Sequence, residues 1–154
     1  MSKYSTAMAA AMVAALAVTA PASANEARVE VRGGPIFVAD ETEATVGVAA
    51  GYDFDLGSTV FAGAEVSADK VLVEGAEIYV GFTGRLGAHV GERGKLFAAG
   101  GYTVGEGEDV WHLGAGYEHR VTDAVYVKGE YRHYFSDFAN ADADAVVVGV
   151  GYKF

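Results

Sequence analysis

From Ala27 to its last residue this chain repeats one pattern eight times: apolar residues alternate with small or polar ones, and a short polar or glycine-containing break follows. The segments are 27–38, 44–54, 59–67, 76–90, 95–104, 110–121, 125–135 and 145–154. Period two marks a strand, because successive side chains of an extended backbone point to opposite faces. Glycine and β-branched residues saturate these segments and no helical stripe recurs, so helix is the poorer reading. In the final segment Val146, Val148, Val150, Tyr152 and Phe154 share one face, while Val147, Gly149, Gly151 and Lys153 share the other. In the seventh, Val125, Val127, Gly129, Tyr131 and Phe135 oppose Tyr126, Lys128, Glu130, Arg132 and Tyr134.

Alternation alone leaves two architectures, a soluble sandwich with its apolar faces meeting in a core and a barrel with its apolar faces in lipid. The aromatic residues favour the barrel. Phe37, Tyr102, Trp111 and Phe135 fall near one set of breaks, and Tyr52, Phe54, Tyr117, Tyr152 and Phe154 near the other. Two such girdles flank a lipid-facing band. Nearly all the segments have the length that a tilted membrane strand needs, about 9–11 residues. The expected fold is therefore all-β: an eight-stranded antiparallel up-and-down transmembrane β-barrel. A chain of 154 residues has room for one domain, and with no cysteine it has neither disulfides nor a thiolate metal site.

Residues 1–24 read as a cleaved secretory signal peptide. Lys3 supplies the basic start, and residues 7–18 form an apolar run too short to cross a bilayer about 30 Å thick as a helix. The small triplet Ala22-Ser23-Ala24 fits a cleavage site, with Ala22 and Ala24 at the two key positions, leaving 25–154 as the barrel domain. The competing reading is an N-terminal membrane anchor. Removal of Lys3 takes the formal charge from −10 to −11.

The polar faces, turned inward, place Arg28, Glu30, Arg32, Asp53, Glu65, Glu77, Arg85, Glu118, Arg120, Lys128, Glu130, Arg132 and Lys153 in the lumen. The two signs nearly balance, so these charges are expected to pair, because an unpaired charge in a narrow interior is heavily penalised. An eight-stranded interior is just wide enough for side chains to fill, which makes the lumen a salt-bridged plug. The remaining acidic residues cluster in alternate breaks: Asp40, Glu41 and Glu43; Asp69 and Glu74; Glu106, Glu108 and Asp109; Asp137, Asp142 and Asp144. The other breaks are short turns. Short turns belong in the periplasm and longer loops outside, so both termini are expected to be periplasmic and the acidic loops external. Carboxylates there have the ligand chemistry for divalent cations, while the plainer reading is a solvated rim with a diffuse ion atmosphere. Pro35 is an anomaly, since a closed barrel offers proline no free edge; either a bulge sits there or pairing has ended.

With the signal peptide and strand count, two stretches, Val127-Lys128-Gly129-Glu130-Tyr131-Arg132 and the closing Gly149-Val150-Gly151-Tyr152-Lys153-Phe154, give 27–154 its family likeness. The chain resembles the outer-membrane protein β-barrel domain family, the opacity-like and outer-membrane-protein-A-like small barrels of Gram-negative bacteria. The resemblance implies outer-membrane lipid and lipopolysaccharide as surroundings. It also implies that the barrel-assembly machinery reads Val148, Val150, Tyr152 and the terminal Phe154. Family members serve as structural elements, adhesins or minor pores, so a narrow passive pore stands as one alternative.

A lipid-modifying enzyme is the other alternative. His133 lies near Ser136, but His133-Tyr134-Phe135-Ser136 lacks the closer His-x-Ser arrangement of the lipid A deacylases, so no catalytic residue is expected. His89, His112, His119 and His133 lie on different segments without metal-ligand spacing and read as interfacial polar residues. The Gly-x-Gly pairs lack a dinucleotide-binding context, so no cofactor is expected. The negative charge argues against nucleic acid. Any surface ligand is left open.

Overall fold

The computed structural model describes residues 25–105, 109–135 and 142–154. They form β1 (Asn25–Val38), β2 (Glu41–Asp55), β3 (Val60–Val71), β4 (Ile78–Val90), β5 (Gly94–Val104), β6 (Asp109–Arg120), β7 (Val125–Phe135) and β8 (Ala143–Lys153). Each strand pairs antiparallel with the next, and β8 closes on β1. The proposed cleavage residues Ala22 and Ala24, and with them the whole segment 1–24, lie outside the described residues.

The stagger of the barrel can be read from its own ladder. From Arg28 the partners run Gly51, Glu65, Thr83, Gly101, His112, Tyr134 and Ala143, and the circuit returns to β1 at Val38, ten residues further along. With about 3.3 Å per residue along a strand and about 4.8 Å between strands, that stagger tilts the strands by about 40°, inside the usual range of roughly 35–45°. Because every partner in this circuit faces inward, the alternation seen in each segment agrees all the way round. Val31, Val148 and Val150 stand more than half exposed on the outside, while Arg28, Glu65 and Glu118 are almost fully enclosed. The molecule is apolar outside and charged within, the reverse of a soluble protein.

Both termini lie at one end, here the near end, together with the short breaks at 56–59, 91–93 and 121–124. The aromatic girdles expected from the sequence are on the outer surface: Phe54, Tyr117, Tyr152 and Phe154 at the near end, Phe37, Trp111 and Phe135 at the far end, all exposed. The side chains within each girdle touch, as in the Tyr102–Trp111 pair with ring centroids 4.8 Å apart.

Three sequence expectations need correction here. The first break is only Ala39 and Asp40, because Glu41 and Glu43 belong to β2, so not every far-end connection is long. Ala39 takes φ 51° in this tight hairpin, which needs the left-handed region. Asp69 lies within β3, which extends to Val71, and Asp144 lies within β8. At Pro35 neither expectation holds: pairing with β2 continues through Pro35↔Ala44, and pairing with β8 skips Gly34 and Pro35 but resumes at Ile36↔Ala145 in unchanged register.

Candidate functional site

The inward faces of all eight strands converge on one filled lumen, and its charges form a single connected network among the described residues. Glu65 on β3 is the hub. It faces Arg28 and Arg32 of β1 at 2.7 Å each, Arg132 of β7 at 3.3 Å and Lys128 of β7 at 3.8 Å. Lys128 also reaches Glu30 at 2.7 Å and Glu130 at 3.3 Å, and Glu130 pairs with Arg132. Towards the far end Arg32 grips Asp69 through two nitrogens, at 2.8 and 2.5 Å. Towards the near end Asp53 binds Arg85 through Nε at 2.8 Å and Lys95 at 3.1 Å, while Arg85 reaches Glu118 at 3.1 Å. Lys153 then bridges Glu118 at 2.6 Å and Glu26 at 2.9 Å, and Glu26 also holds Lys95.

The network thus joins the cations of Arg28, Arg32, Arg85, Lys95, Lys128, Arg132 and Lys153 to the carboxylates of Glu26, Glu30, Asp53, Glu65, Asp69, Glu118 and Glu130, seven of each sign. Electroneutrality is the physical condition for burying so many ions, since each would otherwise carry a desolvation penalty of several kcal/mol. Aromatic side chains finish the near end. Arg85 lies 5.3 Å and 5.1 Å from the ring centroids of Phe61 and Phe97, Lys95 lies 4.7 Å from that of Phe61, and Lys153 lies 5.2 Å from that of Tyr126. The Tyr126 hydroxyl donates to Glu30 at 2.9 Å.

Small residues opposite the long side chains make room for them. A Cβ at Gly51 would fall 2.6 Å from Arg28 Nη2, one at Gly149 would fall 2.6 Å from the Glu30 carboxyl carbon, and one at Gly151 would fall 2.2 Å from the Tyr126 ring. The inward glycines are therefore the moulds of the plug.

Of the lumen residues expected from sequence, Arg28, Glu30, Arg32, Asp53, Glu65, Arg85, Glu118, Lys128, Glu130, Arg132 and Lys153 meet in this network. Two do not. Glu77 is exposed and precedes β4, in the far-end connection. Arg120 ends β6 at the near rim, where Nη2 donates to the Glu92 carbonyl at 2.9 Å. The sequence reading missed Lys95, Glu26 and Asp69. A signal for Lys95 existed: the turn 91–93 sets which residues of β5 share a side with Arg85, and Lys95 is one of them.

Beyond Arg32 and Arg132 the lumen changes character. His112, expected at the interface, is instead buried inside, its ring nitrogens 3.0 Å from Thr83 Oγ1 and 3.3 Å from Thr103 Oγ1, with the Tyr134 ring centroid 5.5 Å away. The far half is otherwise lined mostly by small or neutral residues such as Thr45, Tyr79, Ala143 and Ala145, with Glu43 on the inward side opposite Ile36.

On the outer surface at the far end, His133 Nδ1 lies 2.7 Å from Asp144 Oδ1 and its Nε2 lies 3.6 Å from Asp142. The Tyr131 hydroxyl donates to the same Asp144. Position 135, two residues beyond His133, is a phenylalanine whose ring packs edge-on against the imidazole at 4.6 Å. Ser136 lies outside the described residues. Among the described residues no cluster of histidine and carboxylate side chains has the arrangement of a metal site. Val148, Val150, Tyr152 and Phe154, the residues expected to form the assembly signal, all face outward at 48% exposure or more.

Comparison with known proteins agrees with this architecture. The N-terminal β-barrel domain of Pseudomonas aeruginosa OprF is 13% identical, with 84% of this chain and 97% of that chain covered and a TM-score of 0.61. Ail, the attachment invasion locus protein of Yersinia pestis, is 11% identical over 86% and 99% of the two chains, with a TM-score of 0.61. The outer membrane enzyme PagL is 13% identical over 80% and 97%, with a TM-score of 0.62. Likenesses at this identity establish the fold alone. Among curated proteins nothing matches. Residues 8–154 match the outer membrane protein beta-barrel domain. A closed eight-stranded barrel, apolar outside and ion-paired within, matched over nearly its whole length, belongs to the outer membrane protein beta-barrel domain family.

Proposed function

We propose that this protein is a structural or surface-interaction barrel of the outer membrane with a largely closed lumen. The observation that carries the reading is the balanced ion network, which runs through the lumen from Glu26 towards the near end to Asp69 towards the far end. In this reading residues 1–24 direct export, both termini lie in the periplasm, and the β8 residues ending at Phe154 present the chain to the assembly machinery. Lipid and lipopolysaccharide surround the valine-rich outer face. The far end, with Asp40, Glu41, Glu74 and Glu77 exposed, faces the medium as an acidic rim.

Among the described residues, the outward His133–Asp144 pair is the feature that favours a lipid-modifying reading. One fact weighs against it: Phe135, whose ring packs against the imidazole, supplies no hydroxyl there to act as a nucleophile. Incubation of the folded protein with lipopolysaccharide is expected to release no acyl chain; release would overturn the non-enzymatic reading. Envelope fractionation tests the setting. The protein is expected in the outer-membrane fraction with heat-modifiable migration on a gel, and recovery from the soluble periplasm would contradict the proposal.

A further inference from the structure

One junction of the barrel wall is built differently from the other seven. Between β1 and β8 the ladder runs from Arg28↔Lys153 to Gly33↔Val148, skips Gly34 and Pro35, and resumes from Ile36↔Ala145 to Val38↔Ala143. Between β1 and β2 it is continuous from Asn25 to Val38. The cause lies in the backbone. Phe154 N–H donates to the Ala27 carbonyl at 2.9 Å, so the odd-numbered residues of β1 turn their hydrogen-bonding groups towards β8. Pro35 is odd-numbered and has no N–H to give the Val146 carbonyl. That carbonyl instead crowds Gly34, where a Cβ would fall 1.9 Å from its oxygen, so only glycine fits.

The side chains on either side pull away from this line. Thr45 Oγ1 donates to the Gly34 carbonyl at 3.0 Å and ties β1 to β2. Asp144 accepts from Tyr131 and lies 2.7 Å from His133 Nδ1, which ties the far end of β8 to β7. Towards the near end the two seam strands are bridged directly by Lys153 and Glu26 at 2.9 Å. At the far end the inward residues of the seam are Ile36, Val38, Ala143 and Ala145, and none of them can form an ion pair.

We propose that the far third of the β1–β8 seam is a built-in opening of the barrel wall. Its rungs from Ile36–Ala145 to Val38–Ala143 part as a unit, β1 staying with β2 and β8 with β7, while the ion network holds the remainder shut. Opening joins the far half of the lumen to the outer surface between Phe37 and Asp144.

Amide hydrogen exchange, resolved by NMR on the folded mature chain in detergent micelles, tests this. Phe37 faces β8 and its neighbour Ile36 faces β2, so simple fraying of the strand end would release both alike. Seam opening is expected to make Phe37 and Val146 exchange about tenfold faster than Ile36 or more. Restoring the missing donor with Pro35→Val is expected to remove most of that difference. Equal protection of Phe37 and Ile36 in the natural chain overturns the proposal, whether or not the variant folds.

Discussion

The two halves of the lumen solve the same packing problem with different chemistry. The near half, up to Arg32 and Arg132, is filled by paired ions over a floor of Phe61, Phe97 and Tyr126. The far half is filled by His112, Thr83, Thr103 and Tyr134 with alanine and glycine between them. An ion network closes a barrel more firmly than neutral hydroxyls do, because each buried charge left alone is far costlier than an unpaired hydroxyl. Closure, on this account, resides in the near half.

Substitutions that remove charge from the near half are expected to be the most damaging. Glu65→Ala leaves Arg28, Arg32, Lys128 and Arg132 without their shared carboxylate. It is expected to lower unfolding free energy by about 3–5 kcal/mol in urea titrations of the lipid-embedded barrel. A loss below 1 kcal/mol would mean that Glu65 is no hub. Gly51→Ala pushes a methyl group into the Arg28 guanidinium and is expected to cost about 1–3 kcal/mol by the same titration. In the far half, His112→Leu frees two threonine hydroxyls and is expected to cost about 1–2 kcal/mol. If it matched Glu65→Ala, the contrast between the halves would fail. The smallest effect is expected outside: a Cβ at Gly129 meets nothing within 4 Å, so Gly129→Ala is expected to stay within about 0.5 kcal/mol of the natural chain.

These halves were unequally legible in the sequence. Where one face of a strand is charged and the other apolar, as in β7, parity alone assigns Lys128, Glu130 and Arg132 to the lumen. In β5 the inward Phe97, Ala99 and Gly101 are as apolar as the outward Leu96, Ala98 and Gly100, so the faces do not announce themselves and Lys95 escapes notice. Asp69 beside Lys70 imitates a polar break, but the ladder carries β3 through it, with Gly47 and Tyr79 as partners, and turns its carboxylate inward to Arg32. Glu77 failed in the opposite way: alternation starts the strand pattern two positions too early, and the residue precedes β4. His112 was misplaced because a histidine gives no parity signal of its own, while its threonine partners lie on other strands.

The proline in β1 shows a different limit. Sequence rules identify Pro35 as an offence against a closed ladder, but they offer a bulge or a strand end as the remedy. The barrel uses neither; it gives up the rungs on one side and keeps the register, with Gly34 absorbing the displaced carbonyl.

The central claim is that paired charge closes this barrel, and single-channel recording tests it most directly. The folded mature chain, inserted into a planar bilayer under applied voltage, is predicted to give a flat trace. Discrete, reproducible openings from the natural chain would contradict the account and make the protein a narrow pore.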